Sequence, residues 1–332
     1  MIEKFLPDLV IINHLYSDYG IAVKALIPLS LGADMDASVY KAQSDDQKSY
    51  FLKVKQGHND IGPIIIELLR NAGIQPIISP LKTIPGQLTK RIDNLTLTVY
   101  PFIEGLDGFS QNLTETQWLT LGRTLRQIHE VSVPLLIQNQ IRLEDFSSKW
   151  RDAVRVLYVH IAAEQIGDEI TLKLLKFMKD NILAIHRLVD RAEALAQQLQ
   201  KQSHKFVLCH SDIHGGNVLM DGSDTIYIVD WDDPVMAPKE RDLMFIGGGV
   251  ANVWNKPHEE KLFYEGYGNT EINLTALAYY RHERIVEDIA IYGQKLLMTT
   301  EGGADRLEMY KQFIAMFECD GVVDIAFKTD EA

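Results

Sequence analysis

Cysteine is scarce and long apolar runs are missing. Only Cys209 and Cys319 occur in 332 residues, too few for a disulfide framework, so a reducing, cytoplasmic setting is expected. No apolar run approaches the ~18 residues that a membrane helix needs, and with 46% hydrophobic residues the chain reads as a globular protein without a membrane partner. The opening MIEKFLPDLV carries an acid and a proline where a secretory signal would be basic and then apolar, so no signal peptide is expected. Positive charge is also short: 33 Lys+Arg face 46 Asp+Glu, a net −13. The deficit falls almost wholly after residue 104, where 23 basic residues meet 35 acidic ones, against 10 and 11 before it. Such a field repels nucleic acid and attracts small cations, although a solvated acidic surface explains it nearly as well. No feature implies a protein partner.

What is present concentrates in Phe206 to Pro234, FVLCHSDIHGGNVLMDGSDTIYIVDWDDP. An apolar strand leads into a polar loop with His210, Asp212 and Asn217, and a hairpin of two short strands then ends at Asp230. The turn residues Asp221-Gly222-Ser223-Asp224 place Met220 opposite Tyr227 and, by counting back, Asn217 opposite Asp230. Opposed residues in an antiparallel pair have Cβ atoms about 5 Å apart. An amide oxygen and a carboxylate at that spacing suit Mg²⁺, which takes hard oxygen ligands. Asp212 is then left to act as a base. His210-x-Asp212-x-His214 also permits a Zn²⁺-hydrolase reading, but that leaves Asn217 and Asp230 unexplained. A non-catalytic nucleotide-binding scaffold would have no need of all three polar residues.

His210-x-Asp212-x4-Asn217 followed by Ile228-Val229-Asp230-Trp231-Asp232 resembles the catalytic loop and metal segment of the aminoglycoside phosphotransferases, relatives of the protein kinases. SDIHGGN, IVDWDDP, PKERDLMFIGGG, WNKPHE and YYRHERIVEDIA look like the spectinomycin phosphotransferase branch of that family, and the likeness runs from the first helix to near residue 328. The resemblance implies an α+β, two-lobed protein-kinase-like fold. A small antiparallel β-rich lobe would cover 1–104 including the hinge, and a larger, mostly helical lobe would cover 105–332. It also implies ATP and Mg²⁺ as cofactors and phosphorylation of a hydroxyl on a small cationic aminocyclitol. A kinase of an amino alcohol or amino sugar is the alternative. By the same resemblance Asp212 orients the accepting hydroxyl, His210 braces the loop, and Asn217 and Asp230 ligate the metal.

Along the rest of the chain, a helix ending at Gly20 precedes strands at Ala25 to Leu31, Ser38 to Lys41 and Ser49 to Val54. The loop with Gly32 and Asp34 could let backbone N–H groups approach phosphates, or could be an ordinary turn. Alternation puts Lys53 and Lys55 on one strand face; the resemblance selects Lys53 as the phosphate-neutralising lysine. Its helical partner is expected to be Glu67, with Asp60 as rival. Tyr100, Pro101, Phe102 and Ile103 resemble the hinge that meets the nucleotide base. Thr114-x-x-Gln117 is a capping box opening a helix that His129 closes. Residues 171–200 form a helical stretch broken near Asp180, and Arg241-Asp242 reads as structural support. Substrate contacts are expected from Trp254 and Asn255, from Asp232, and from Glu283 and Glu287, which share one helix face. Surface ion pairing accounts for the last two equally well.

Overall fold

The computed structural model describes residues 5–29, 37–162, 167–248, 250–299 and 305–331. Helix α1 (Asp8–Tyr19) leads into strands β1 (Val23–Pro28), β2 (Ala37–Ser44) and β3 (Ser49–Gln56). Then come α2 (Ile61–Asn71), β4 (Lys90–Ile92), β5 (Leu95–Pro101) and β6 (Gly105–Asp107). A helical run follows, α3 (Glu115–Glu130) and α4 (Leu135–Gln138), then β7 (Arg142–Leu143), α5 (Lys149–Ala162), α6 (Glu169–Asp180) and α7 (Ile182–Leu199). Short strands β8 (Val207–Cys209), β9 (Val218–Asp221), β10 (Ile226–Ile228) and β11 (Val235–Ala237) precede α8 (Glu240–Leu243). The chain closes with α9 (Pro257–Tyr267), α10 (Leu274–Leu297), α11 (Asp305–Ala315) and α12 (Val322–Glu331). No helix among the described residues is long and apolar enough to cross a membrane.

Two compact units emerge, and each is assembled from separated stretches. The first takes residues 1–113, 130–142 and 216–234; the second takes 114–129, 143–215 and 235–332. A single cut after residue 104 therefore does not describe the chain: the β9–β10 hairpin belongs with the N-terminal strands.

The first unit is an antiparallel sheet ordered β1-β2-β3-β5-β4. Its inward residues Tyr40, Leu52, Val54, Leu97 and Val99 share a core with Ile11 and Leu15 of α1; strand alternation predicts the former, whereas helical spacing would also turn Leu9 and Tyr16 inward and both are exposed, because the apolar residues of α1 are spread over more than one face. Gly20 ends α1 at φ +70°, and its N–H reaches back to the carbonyls of Leu15 and Tyr16, a left-handed cap that a side chain would strain. A second sheet, β10-β9-β6, completes this unit.

In the second unit, α10 is the central element, sharing a core with α5, α6, α7 and α12 through Leu157, Leu174, Ile185, Val189, Ile289 and Val323. Asn273 caps its start by accepting from the Ala276 N–H at 3.1 Å, the geometry expected of an N-cap amide. The expected break near Asp180 is real: Asn181 separates α6 from α7. The capping box at α3 also forms, with Thr114 N–H bonded to Gln117 Oε1 at 2.9 Å and Gln117 N–H to Thr114 Oγ1 at 3.2 Å.

Candidate active site

In the first unit the site residues gather where β3 meets the end of the β9–β10 hairpin. The hairpin register differs by one from expectation: Met220 pairs with Ile226, Leu219 with Tyr227 and Val218 with Ile228. The cause is the turn. Asp221 N–H bonds to the Thr225 carbonyl at 3.1 Å, and Asp224 adopts φ +66°, so Asp221 and Thr225 close a three-residue loop, Gly222 to Asp224, with a left-handed last position. Asn217 consequently faces Val229, whose N–H donates to the Asn217 carbonyl at 3.0 Å. Asp230 is the next residue and itself turns to φ +62°, which ends the ladder and redirects its side chain.

Asp230 meets Lys53, whose Nζ lies 2.8 Å from Oδ1. Asp232 is shared: Lys53 Nζ is 2.7 Å and Lys55 Nζ 2.6 Å from its Oδ2. Burial alone would lower the Lys53 ammonium's pKa, yet the two aspartates outweigh it and raise the group above the usual lysine range. Burial pushes Asp232 the other way, and the two lysines overcome it to hold its carboxyl low. Two anions and two cations thus form one linked set beside β3, a surface that can trade carboxylates for phosphate oxygens.

In the second unit the expected catalytic residues His210 and Asp212 lie on the loop after β8. Asp242, fully buried, accepts from the His210 N–H at 2.9 Å and the Ser211 N–H at 2.7 Å, and its Oδ2 lies 3.0 Å from His129 Nε2. His210, buried as well, accepts the Asp212 N–H on Nδ1 at 3.3 Å. The loop backbone is therefore pinned at successive residues, with Ser211 held at φ +73°. Asp212 projects from it with 42% of its side chain exposed, Oδ1 2.6 Å from Arg284 Nη1 and Oδ2 3.4 Å from His214 Nε2. Burial would raise its pKa, but Arg284 and His214 hold the carboxyl far below the usual carboxylate range.

Residues 29–278 match the phosphotransferase enzyme family. The chain belongs to this family. Among solved structures it is similar to a spectinomycin phosphotransferase crystallised with ADP and spectinomycin, at 49% identity over 99% of this chain and 100% of that one, TM-score 0.93. An AMP-bound complex of spectinomycin phosphotransferase aligns at 48% identity over 97% and 98% of the two chains, TM-score 0.88. The choline kinase of Streptococcus pneumoniae, at 17% identity over 92% and 97% and TM-score 0.58, shares the fold alone. No match was found among curated protein sequences. The expected α+β, kinase-like architecture and the membership in the aminoglycoside-type phosphotransferases are thereby established.

Within this phosphotransferase the remaining expected site residues divide clearly. Glu67 does not meet Lys53; it pairs with Lys82 Nζ at 2.5 Å. Asp60, the rival, accepts from Thr89 at 2.9 Å and Arg91 at 2.8 Å, so both helix acids are committed elsewhere and Asp230 and Asp232 take their place. In the stretch expected to meet the nucleotide base, Tyr100 pairs across the ladder with Phe51 and burial pushes its phenol up. Pro101 has no N–H to offer, and the Phe102 N–H is bonded to the Ser49 carbonyl at 3.0 Å, while Ile103 follows it half-buried. Gly32 and Asp34 lie outside the described residues.

The proposed substrate residues fare unevenly. Trp254 is buried, packed edge-on to Trp118 with ring centroids 5.1 Å apart; its place is in the core rather than on a binding face. Asn255 is exposed. Glu283 is not an open anion, because the buried Arg151 guanidinium sits 2.5 Å from it, and burial pushes its carboxyl up to about 7 in spite of that partner. Glu287 is half-buried on the same helix, where its charge helps hold the Arg241 and Arg284 guanidiniums in their cationic form. His210, Asp212 and His214 do not form a metal-binding trio among the described residues; the buried trio that converges, His129, Cys209 and Asp242, has its carboxylate committed to the loop. Sequence reasoning missed Arg284 and Arg151. Arg284 was visible only as the i, i+4 partner of Asp288, which it does meet at 3.2 Å; its bond to Asp212, 72 residues away, has no local signature.

Proposed function

We propose that this enzyme transfers the γ-phosphoryl group of ATP to a hydroxyl of spectinomycin or a closely similar aminocyclitol. The observation that carries the reading is the 49% identity, spread over essentially the whole of both chains, with a phosphotransferase solved with ADP and spectinomycin. The local chemistry agrees with it. Asn217 and Asp230 offer hard oxygen donors at the mouth of a hairpin, the donor set that suits Mg²⁺. The metal would supply charge neutralisation at the phosphate oxygens. Lys53, already bound to two carboxylates, would exchange one of them for phosphate oxygen and keep its positive charge throughout. Asp212 would accept a hydrogen bond from the acceptor hydroxyl and aim its oxygen at the phosphorus. Most of the acceleration then comes from positioning and charge stabilisation, because a loose phosphoryl transition state asks for little basicity. Tyr100 to Ile103 would flank the nucleotide base. Glu287 and Asn255 would be the acidic and polar contacts to the cationic acceptor, while Asp232, expected among them, is already held by Lys53 and Lys55. A cytoplasmic setting, where nucleotide is abundant and two thiols stay reduced, suits this reading.

The test is incubation with Mg·ATP and a panel of aminocyclitols, aminoglycosides and amino alcohols, following ADP release and product mass. Spectinomycin gaining one phosphoryl group is the expected result. Turnover confined to amino alcohols would replace the acceptor class while keeping the kinase chemistry. ADP release with no phosphorylated product from any of them would overturn the proposal.

A further inference from the structure

We propose that Arg284 is a positioning residue for the reaction: it fixes one oxygen of Asp212 so that the acceptor hydroxyl meets a carboxylate edge of set direction. The inference rests on the reading of Asp212 as the group that orients the hydroxyl. Three features of the second unit support it. Arg284 Nη1 is 2.6 Å from Asp212 Oδ1, and its Nε is 3.2 Å from Asp288 Oδ1 one turn further along α10. The guanidinium therefore spans two carboxylates from a rigid helix, with only 17% of the side chain exposed. It also lies over the Phe245 ring, 5.9 Å from the centroid, a contact that a planar cation makes and a lysine makes less well. The loop from below fixes the backbone of Asp212 through Asp242 and His210; Arg284 fixes its side chain. Without the guanidinium the half-exposed carboxylate would keep the longer His214 contact, 3.4 Å from Oδ2, but lose its shortest one and sample more rotamers, and each turnover would have to select the productive one.

A guanidinium on the carboxylate has a second effect. It keeps Asp212 ionised and makes it a weak base, so the group serves by direction rather than by pulling a proton early. That division fits a transition state in which the hydroxyl proton leaves late.

The test is a double-mutant cycle measured with Mg·ATP and spectinomycin, or with whichever acceptor the panel identifies. Arg284→Gln is expected to lower kcat by about 10- to 100-fold, the loss associated with one charge-assisted hydrogen bond, with the KM for nucleotide unchanged. Arg284→Lys should recover part of that loss, because the charge persists while the fork does not. In an Asp212→Asn background, Arg284→Gln should cause no further fall, since it acts only through Asp212. An additive loss in that background, or a loss confined to the acceptor KM, overturns the inference while leaving the proposed reaction intact. Wild-type kcat in Asp212→Asn itself would instead remove the orienting role of Asp212 and the inference with it. Should Arg284→Gln fail to fold, Asp288→Asn, which removes the second anchor of the guanidinium, carries the same cycle: a smaller kcat loss that vanishes in Asp212→Asn supports the inference, and an additive one overturns it.

Discussion

Replacing Asp242 by Asn changes neither volume nor shape, so its effect reports on hydrogen bonding alone. In the native protein Oδ1 accepts one donor, the Ser211 N–H at 2.7 Å, while Oδ2 faces the His210 N–H at 2.9 Å and His129 Nε2 at 3.0 Å. The amide must put its NH2 on one side. Turned toward His210 and His129, it opposes one backbone N–H and disturbs the imidazole contact; turned toward Ser211, it opposes a single donor and is the better compromise. Even so, one buried N–H loses its acceptor, a loss of about 1–3 kcal/mol, and two remaining bonds lose charge assistance, about 1 kcal/mol each. The sum is about 3–5 kcal/mol, a large part of a stability that is usually about 5–15 kcal/mol. Ser211 makes the consequence functional. It sits at φ +73°, a conformation a non-glycine residue keeps only when its surroundings hold it there. Once its N–H is unanchored the loop relaxes, and Asp212, the next residue, moves. Urea unfolding should show a lower midpoint at unchanged slope. Turnover measured well below that midpoint should fall about 100-fold, the penalty for a displacement of about 1 Å. A stability change under about 1 kcal/mol together with normal turnover would refute the claim that this carboxylate holds the loop.

Other expectations follow from the same geometry. Asp212→Ala should keep nucleotide affinity and lose about 10² to 10⁴ in turnover, roughly 3 to 5.5 kcal/mol; near-normal kcat removes Asp212 from the reaction. Asp230→Ala should abolish Mg²⁺-dependent nucleotide binding, and titration calorimetry showing unchanged Mg·ATP affinity would count against its role. Gly62→Ala places a Cβ 2.3 Å from the Trp231 carbonyl oxygen, so α2 must shift off the segment that carries Asp230 and Asp232; a loss of about 1–3 kcal/mol in unfolding free energy is expected, and an unchanged melting temperature would contradict the close approach. Glu283 binds its proton more tightly in the folded state, at about 7 against an ordinary 4.5. The stability from this group is thus fully present below about 4.5 and is lost as pH rises through about 7. The wild-type stability minus that of Glu283→Gln should decline by about 3 kcal/mol across this window, and a flat difference would mean that Arg151 keeps the carboxylate ionised throughout.

What the sequence made legible was whatever a short window encodes. The antiparallel strands follow from alternation, the α3 capping box from four residues, and the α6–α7 break from a local change in helical pattern, whereas the buried face of α1 does not, since its apolar residues lie on more than one side and Leu9 and Tyr16 face out. The hairpin register was less legible, because it turns on whether Asp224 takes a left-handed conformation, and aspartate permits both answers. Long-range charge pairing left no local trace at all: the partners of Arg284, Arg151 and Lys53 are chosen by packing of distant elements.

The case of Lys53 shows how a borrowed rule misleads in a physically instructive way. Kinase logic asks for a helix acid beside the strand lysine, and α2 lies in the expected place with Glu67 on it. Yet α2 approaches the site through backbone, not through that side chain. Gly62 in its first turn rests against the Trp231 carbonyl, so the helix packs on the very segment that carries Asp230 and Asp232. Those two acids then reach Lys53 and Lys55 directly. The helix still controls the lysine, but at one remove, by fixing the strand end that supplies its counter-ions. A substitution at Glu67 should therefore matter little for nucleotide affinity, whereas a single methyl group at residue 62 should matter a great deal.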